Sequence, residues 1–301
     1  MVSSNALLSL VVLVILLVGC GASRQSAYLA KKPQEVVKPA QAKDGQADPV
    51  KQIKQRAEAH WAKRESVGEL RAALDLYKQA LKLSPACRNS MSRLARGYYL
   101  LAYGHAKTDE KILAAYDEGA KWGERIMGLR PEFRKKVAEG EKDYEALSVA
   151  KKEDVPGIYW AYGNLGKWSV KQGFTTVLKN KSKLKAFIDR VTVLDEKYFH
   201  AGGHRGLGAF YAKAPGFAGG DLDKAEKHFK RSLEIAPNYY GTKVLMARYY
   251  AVKRQDKKLF KKLLDEVIAG DAAVLPDVIP IQKIEQRKAR ELLAKAEDLF
   301  E

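Results

Sequence analysis

The chain has 301 residues, 46% of them hydrophobic, enough for the core of one large domain or two small ones, which excludes an intrinsically disordered protein. Lys and Arg number 54 against 36 Asp and Glu, a net charge of +18 that calls for an acidic partner or an anionic membrane surface, or else is a solvated basic face. No basic helix is laced with aromatics, so nucleic acid is not expected as a partner, and two cysteines exclude a disulfide framework.

The first element is the apolar run of residues 6–19, ALLSLVVLVILLVG, which ends at Cys20. It is shorter than the roughly 20 residues of a spanning helix and has the length of a signal-peptide core. Leu17-Val18-Gly19-Cys20 resembles the bacterial lipoprotein box, although Val18 is larger than the usual Ala or Ser and no Lys or Arg precedes Ala6. The alternative is a tethering helix with an incidental cysteine. Residues 1–19 are expected to be a lipoprotein signal peptide. Cys20 is expected to carry a diacylglyceryl group and an N-acyl chain such as palmitate, anchoring the protein in the bacterial envelope facing the periplasm, the outer membrane ahead of the inner. Cys87 then remains alone, as a small core residue. Residues 21–50, rich in Ala, Lys, Gln, Pro and Asp, are expected to be a disordered tether.

From residue 51 to 301 apolar positions recur at three- and four-residue spacing and no alternating strand intervenes. A phrase returns at predicted helix ends: Leu83-Ser84-Pro85, then Leu129-Arg130-Pro131-Glu132-Phe133, then Leu194-Asp195-Glu196-Lys197-Tyr198, then Ile235-Ala236-Pro237-Asn238-Tyr239. Proline cannot continue a helix. Ala73, Tyr77 and Ala80 precede Pro85, and Ala225, Phe229 and Ser232 precede Pro237, in the small–aromatic–small spacing of the second helix of a tetratricopeptide repeat. First helices show as Leu94-Ala95-x-x-Tyr98, Leu165-Gly166 and Leu207-Gly208-x-x-Tyr211, and two degenerate second helices carry Gly119 and Gly123, and Leu184 and Ile188. The expected fold is all-α: tetratricopeptide-like helical hairpins in a superhelical stack.

Residues 200–221, HAGGHRGLGAFYAKAPGFAGGD, raise a second reading, a phosphate-cradling loop. Such a loop needs a preceding strand and a GxGxxG or GxxxxGK[ST] order. Here the order is Gly202-Gly203-x-x-Gly206-x-Gly208 with no strand before it, so packing is the better account of these glycines. Gly208 is the small residue of a first helix, Ala214–Gly220 lengthens the turn, and Asp221 is the candidate N-cap of the next helix.

These residues carry a family resemblance. Gly202-Gly203-x-Arg205-x-Leu207-Gly208-x-x-Tyr211, Ala214-Pro215-x-x-x-Gly219-Gly220-Asp221 and Lys224-Ala225-x-x-x-Phe229 appear in order, with Tyr159-Trp160-Ala161, Gly163 and Trp168 upstream. Together they resemble the signature of T-component proteins associated with TRAP transporters, over roughly residues 70–270. The resemblance implies a helical, tetratricopeptide-like lipoprotein that partners the periplasmic solute-binding protein of a tripartite ATP-independent transporter. Such carriers take up organic acids or other small solutes on an ion gradient.

Catalytic constellations are thin, and no enzyme, cofactor or metal is expected. His200 and His204 have a spacing that suits a shared metal, but Gly202 and Gly203 lie between them, no HExxH occurs and no third ligand can be named. The aromatic group Tyr159, Trp160, Tyr162 and Trp168 is either all core, or one or two of its members line a groove. Tyr159, Trp160, Trp168, His204, Arg205 and Tyr211 are the candidate partner- or ligand-binding residues. A buried Arg205 requires an acid, its own Asp221 or a partner's. In the tail, Ile281, Ile284, Leu292, Leu293, Ala296 and Phe300 form the apolar stripe of a final helix that caps the stack or mediates self-association into a homo-oligomer. Two functions compete: a scaffold that docks the solute-binding protein of a TRAP transporter, and a scaffold for another envelope complex.

Overall fold

The computed structural model describes residues 24–29 and 48–300; the signal segment, Cys20 and most of the expected tether lie outside them. The described residues are all-α and contain no strand. The helices are α1 (Pro49–Ala62), α2 (Val67–Leu83), α3 (Arg88–Leu100), α4 (Asp109–Met127), α5 (Pro131–Ala138), α6 (Asp143–Ala146), α7 (Val155–Gln172), α8 (Phe174–Leu194), α9 (Tyr198–Lys213), α10 (Leu222–Ile235), α11 (Tyr240–Leu245), α12 (Lys257–Ala269), α13 (Ile279–Leu293) and α14 (Ala296–Leu299). Helices α3 and α11 each run on into a π-helical turn, Leu101–His105 and Met246–Ala251.

Helices α2, α4, α8 and α10 stop at or just before the recurring Pro or Asp-Glu phrases. Successive helices pack on each other from α1 to α4 and from α7 to α10, while α5, α6 and short 3-10 turns form an excursion that leaves α4 directly against α7. Glycines set the closest crossings. A Cβ on Gly123 would lie 2.6 Å from the Gly157 carbonyl oxygen and 2.7 Å from the Ala161 nitrogen, so α4 and α7 touch backbone to backbone. A Cβ on Gly208 would lie 2.8 Å from the Phe229 ring, so α9 and α10 close over that aromatic. Asp221 caps α10, its carboxylate accepting from the amides of Asp223 (3.1 Å) and Lys224 (3.0 Å).

Three expectations need correction. The tail is not one continuous cap: α13 ends at Leu293 and the short α14 follows. Ala289, Leu292, Ala296 and Phe300 join the core of the last helices, but Ile284 packs into the core of α1–α3. Lys283 pairs with Glu65 at 2.7 Å, and the Asp277 carbonyl accepts from Arg64 and Arg96. This C-terminal segment therefore joins the last helices to the first. Within the expected tether, residues 24–29 are packed on the domain. Arg24 bridges Asp117 (2.7 Å) and Glu124 (2.5 Å), the Ala27 amide donates to Glu124 (2.8 Å), and Tyr28 is buried against Phe133. Cys87 sits at the edge of the core rather than inside it: it packs partly buried against the core of α1–α3, holds the N-cap position of α3, and accepts a hydrogen bond from Ser90 Oγ at 3.4 Å.

Candidate functional site

Helix α7 carries the site because of its periodicity. Tyr159, Tyr162, Gly163, Gly166 and Val170 recur at helical spacing and line one wall of a cavity of about 530 Å³. Helices α3, α8, α9, α11 and α13 supply most of the rest, with the turn after α9. The two π-helical turns face into it, presenting Tyr103 from one and Arg248 and Tyr249 from the other.

The deep wall is aromatic. Trp160 meets Phe199 edge-on at 4.8 Å and Tyr159 at 5.0 Å, and Tyr99 sits 5.4 Å from Tyr103 and 5.5 Å from Trp160. Phe199 reaches this position through an unusual backbone: Phe199, His200 and Ala201 all have positive φ, between 45° and 57°. Each such residue costs about 1–2 kcal/mol outside glycine, so the turn persists only because its surroundings hold it. Arg205, one right-handed turn further on, holds it. Its guanidinium donates to the carbonyls of His200 (2.9 Å) and Phe199 (3.2 Å) and to Tyr159 Oη (2.6 Å), and lies 4.3 Å from the centre of the Tyr239 ring. Gly202 leaves room for the Tyr159 ring and Gly203 for Thr192, so the glycines after the turn are packing positions.

The charges on the wall are unbalanced. Lys167, Lys181, Arg205, Lys213 and Arg248 line the cavity against a single carboxylate, Glu285. Tyr103 donates to Glu285 Oε1 at 2.9 Å, and Glu285 Oε2 is buried without a hydrogen-bond partner among the described residues. Burial pushes the Lys167 ammonium down to about 8, and does the same to Lys288 behind the Tyr103 ring. Burial raises the phenols of Tyr99 and Tyr103, keeping both neutral. At the rim the wall turns apolar and exposed: Val170, Phe174 (58% exposed) and Leu178 flank the opening. Phe217 (85% exposed) lies in the turn between the lining residues Pro215 and Ala218.

Of the residues singled out from sequence, Tyr159, Trp160 and Arg205 come together on the cavity wall. Trp168 faces away, buried with Tyr116, Leu165 and Leu184. His204 and Tyr211 lie on the α9–α10 side. There His204 Nδ1 is 2.8 Å from His228 Nδ1, its Nε2 is 2.9 Å from Glu196, and Tyr211 stacks on His228. Burial and the neighbouring His204 push His228 down to about 4. His200 lies within the left-handed turn and stacks on Tyr239, apart from His204. Asp221 does not pair with Arg205; its ion-pair partner is Lys224 at 3.0 Å. The lining residues Tyr99, Tyr103, Phe199 and Glu285 were not singled out. The spacing of Tyr99 and Tyr103, four apart on one face, is the signal available for that pair.

A family model, the TRAP transporter T-component, matches residues 67–300, from the start of α2 to beyond α14. No curated protein matches the chain. Among the described residues no helix is long and apolar enough to cross a membrane.

Proposed function

The chain belongs to the TRAP transporter T-component family, and from that premise we propose that it is an envelope-anchored scaffold that docks the periplasmic solute-binding protein of a TRAP transporter and assists solute uptake. The observation that carries this reading is the exposed apolar rim of Val170, Phe174 and Leu178, with Phe217 exposed in the turn between the lining residues Pro215 and Ala218. Clustered exposed hydrophobics bordered by charged residues mark interaction sites, and the border here is Lys181, Lys213 and Arg248. The family association favours the transport role over another envelope complex.

Arg205 is 5% exposed and spends its hydrogen bonds inside its own fold. The rim, not Arg205, is therefore the docking contact. Binding of the cognate solute-binding protein, followed by surface plasmon resonance, is expected to slow in association as salt rises, because the protein carries +18. Phe217→Asp and Phe174→Asp should each weaken the complex about tenfold or more, mainly in dissociation. No complex at micromolar concentrations and low salt would sink the reading; unchanged dissociation in both variants would remove the rim from it.

The anchor we assign to lipid on Cys20, from Leu17-Val18-Gly19-Cys20 after the apolar run. Cys20→Ala should abolish radiolabelled palmitate incorporation and signal processing. Normal incorporation in that variant would refute the assignment.

A further inference from the structure

Arg205 is a buried cation without an anion. All three of its hydrogen bonds go to neutral oxygens, two carbonyls and a phenol, and no carboxylate of the described residues lies within ion-pair distance of it. Burying a guanidinium is costly unless an opposite charge accompanies it. Bracing the left-handed turn accounts for the carbonyl contacts. It does not account for Lys167, Lys213 and Arg248, which also line the cavity and also lack an ion-pair partner among the described residues. The exposed Lys213 and Arg248, the half-buried Lys167 and the buried Arg205 form a series from rim to depth.

The rest of the wall limits what the missing anion can be. Among the described residues no Ser, Thr, Asn or Gln lines the cavity. Tyr99, Tyr103, Trp160, Phe199, Ile281 and Leu245 instead offer a surface for an apolar body. The volume of about 530 Å³ lies within the range of small-molecule sites.

We infer that this cavity binds a small amphiphilic carboxylate directly, with its carboxylate directed to the Arg205 end and its alkyl or aryl body against the aromatic wall. This goes beyond docking and does not depend on it, since the ligand is tested on the isolated protein.

The probes are octanoate and 3-phenylpropanoate, for the two kinds of apolar body, with 1-octanol and octylamine as neutral and cationic counterparts. Binding to the full chain is read by calorimetry and by tryptophan fluorescence, because Trp160 lines the cavity. At least one carboxylate is expected to bind, with octanol about tenfold weaker or worse and octylamine undetectable. Arg205→Gln should weaken the carboxylate about tenfold or more if circular dichroism shows it folded. Because Arg205 also braces the turn, the double variant Lys167→Met/Arg248→Gln serves as a second probe that leaves the brace intact; it should weaken the carboxylate several-fold without changing octanol binding. Octanol binding as tightly as octanoate would reduce the site to an apolar cavity and overturn the inference. So would failure of both carboxylates to bind at about 1 mM, or carboxylate binding unchanged in the double variant.

Discussion

Replacing Gly208 by Leu tests whether the glycines of α9 exist for packing. The Cβ alone would sit 2.8 Å from two ring atoms of Phe229 and 3.0 Å from a third. Carbon atoms rest at about 3.5–4.0 Å, so α9 and α10 must separate by nearly 1 Å or the ring must leave its rotamer. Phe229 is fully buried, and close packing of a protein interior leaves a ring little room to turn. Overpacking of this kind costs about 1–3 kcal/mol, and helix propensity returns about 1 kcal/mol when glycine is replaced. Leu brings three carbons beyond Cβ, which places it in the upper part of the range, for a net loss of about 1–2 kcal/mol. In a domain of this size that lowers Tm by roughly 2–8 °C. Thermal unfolding followed by circular dichroism reads it. A double-mutant cycle with Phe229→Ala sharpens the test: the new Leu side chain should fill part of the space the ring vacates, giving a favourable coupling of about 0.5–3 kcal/mol. An unchanged or higher Tm for Gly208→Leu, or strict additivity in the cycle, would refute the close-crossing argument.

Arg24→Ala strips the fully buried Glu124 of its cation and should cost about 3–5 kcal/mol in thermal unfolding; Arg24→Ala/Glu124→Leu should recover much of it. The His204–His228 pair predicts an acid limit. His228 titrates at about 4 when folded against an ordinary value near 6.5, so between those values the unfolded chain takes up a proton that the folded chain refuses. Stability should therefore fall as pH drops from about 6.5 towards 4, and His228→Gln should flatten that part of the Tm–pH curve; an identical curve for the variant would rule out His228 as its source. Arg205→Gln should lower Tm as well, because the positive-φ turn at Phe199–Ala201 loses two carbonyl contacts. A Tm equal to that of the unaltered protein would show that the turn holds itself.

Local rules made much of the fold legible. Proline and its neighbours marked helix ends, small residues marked close crossings, and Asp221 declared itself as a cap because capping depends on three or four adjacent residues. What the sequence hid depends on distant closure. Arg24 reads as one more charge in a polar linker until Glu124, a hundred positions later, meets it. Ile284 looks like part of a terminal cap, yet its partners are in α1–α3. The left-handed turn occurs at Phe199-His200-Ala201, three successive non-glycine residues of which only His200 is of a type enriched in that backbone. The site was half visible: the α7 aromatics drew attention through their spacing, whereas the cation series comes from α7, α9 and a π-helical turn and exists only once those elements assemble.

The docking of residues 24–29 on α4 changes the mechanics of a lipid on Cys20. A free linker over residues 21–50 would have a mean span of about 30 Å and would let the domain turn every face to any neighbour. With Arg24 clamped, only four peptide steps separate the proposed anchor from the folded body, at most about 14 Å. Were Cys20 lipidated as proposed, the α4 face that holds Arg24 would be kept within that distance of the membrane. A soluble partner would have to arrive from the periplasmic side or laterally, onto faces whose height above the lipid is already set.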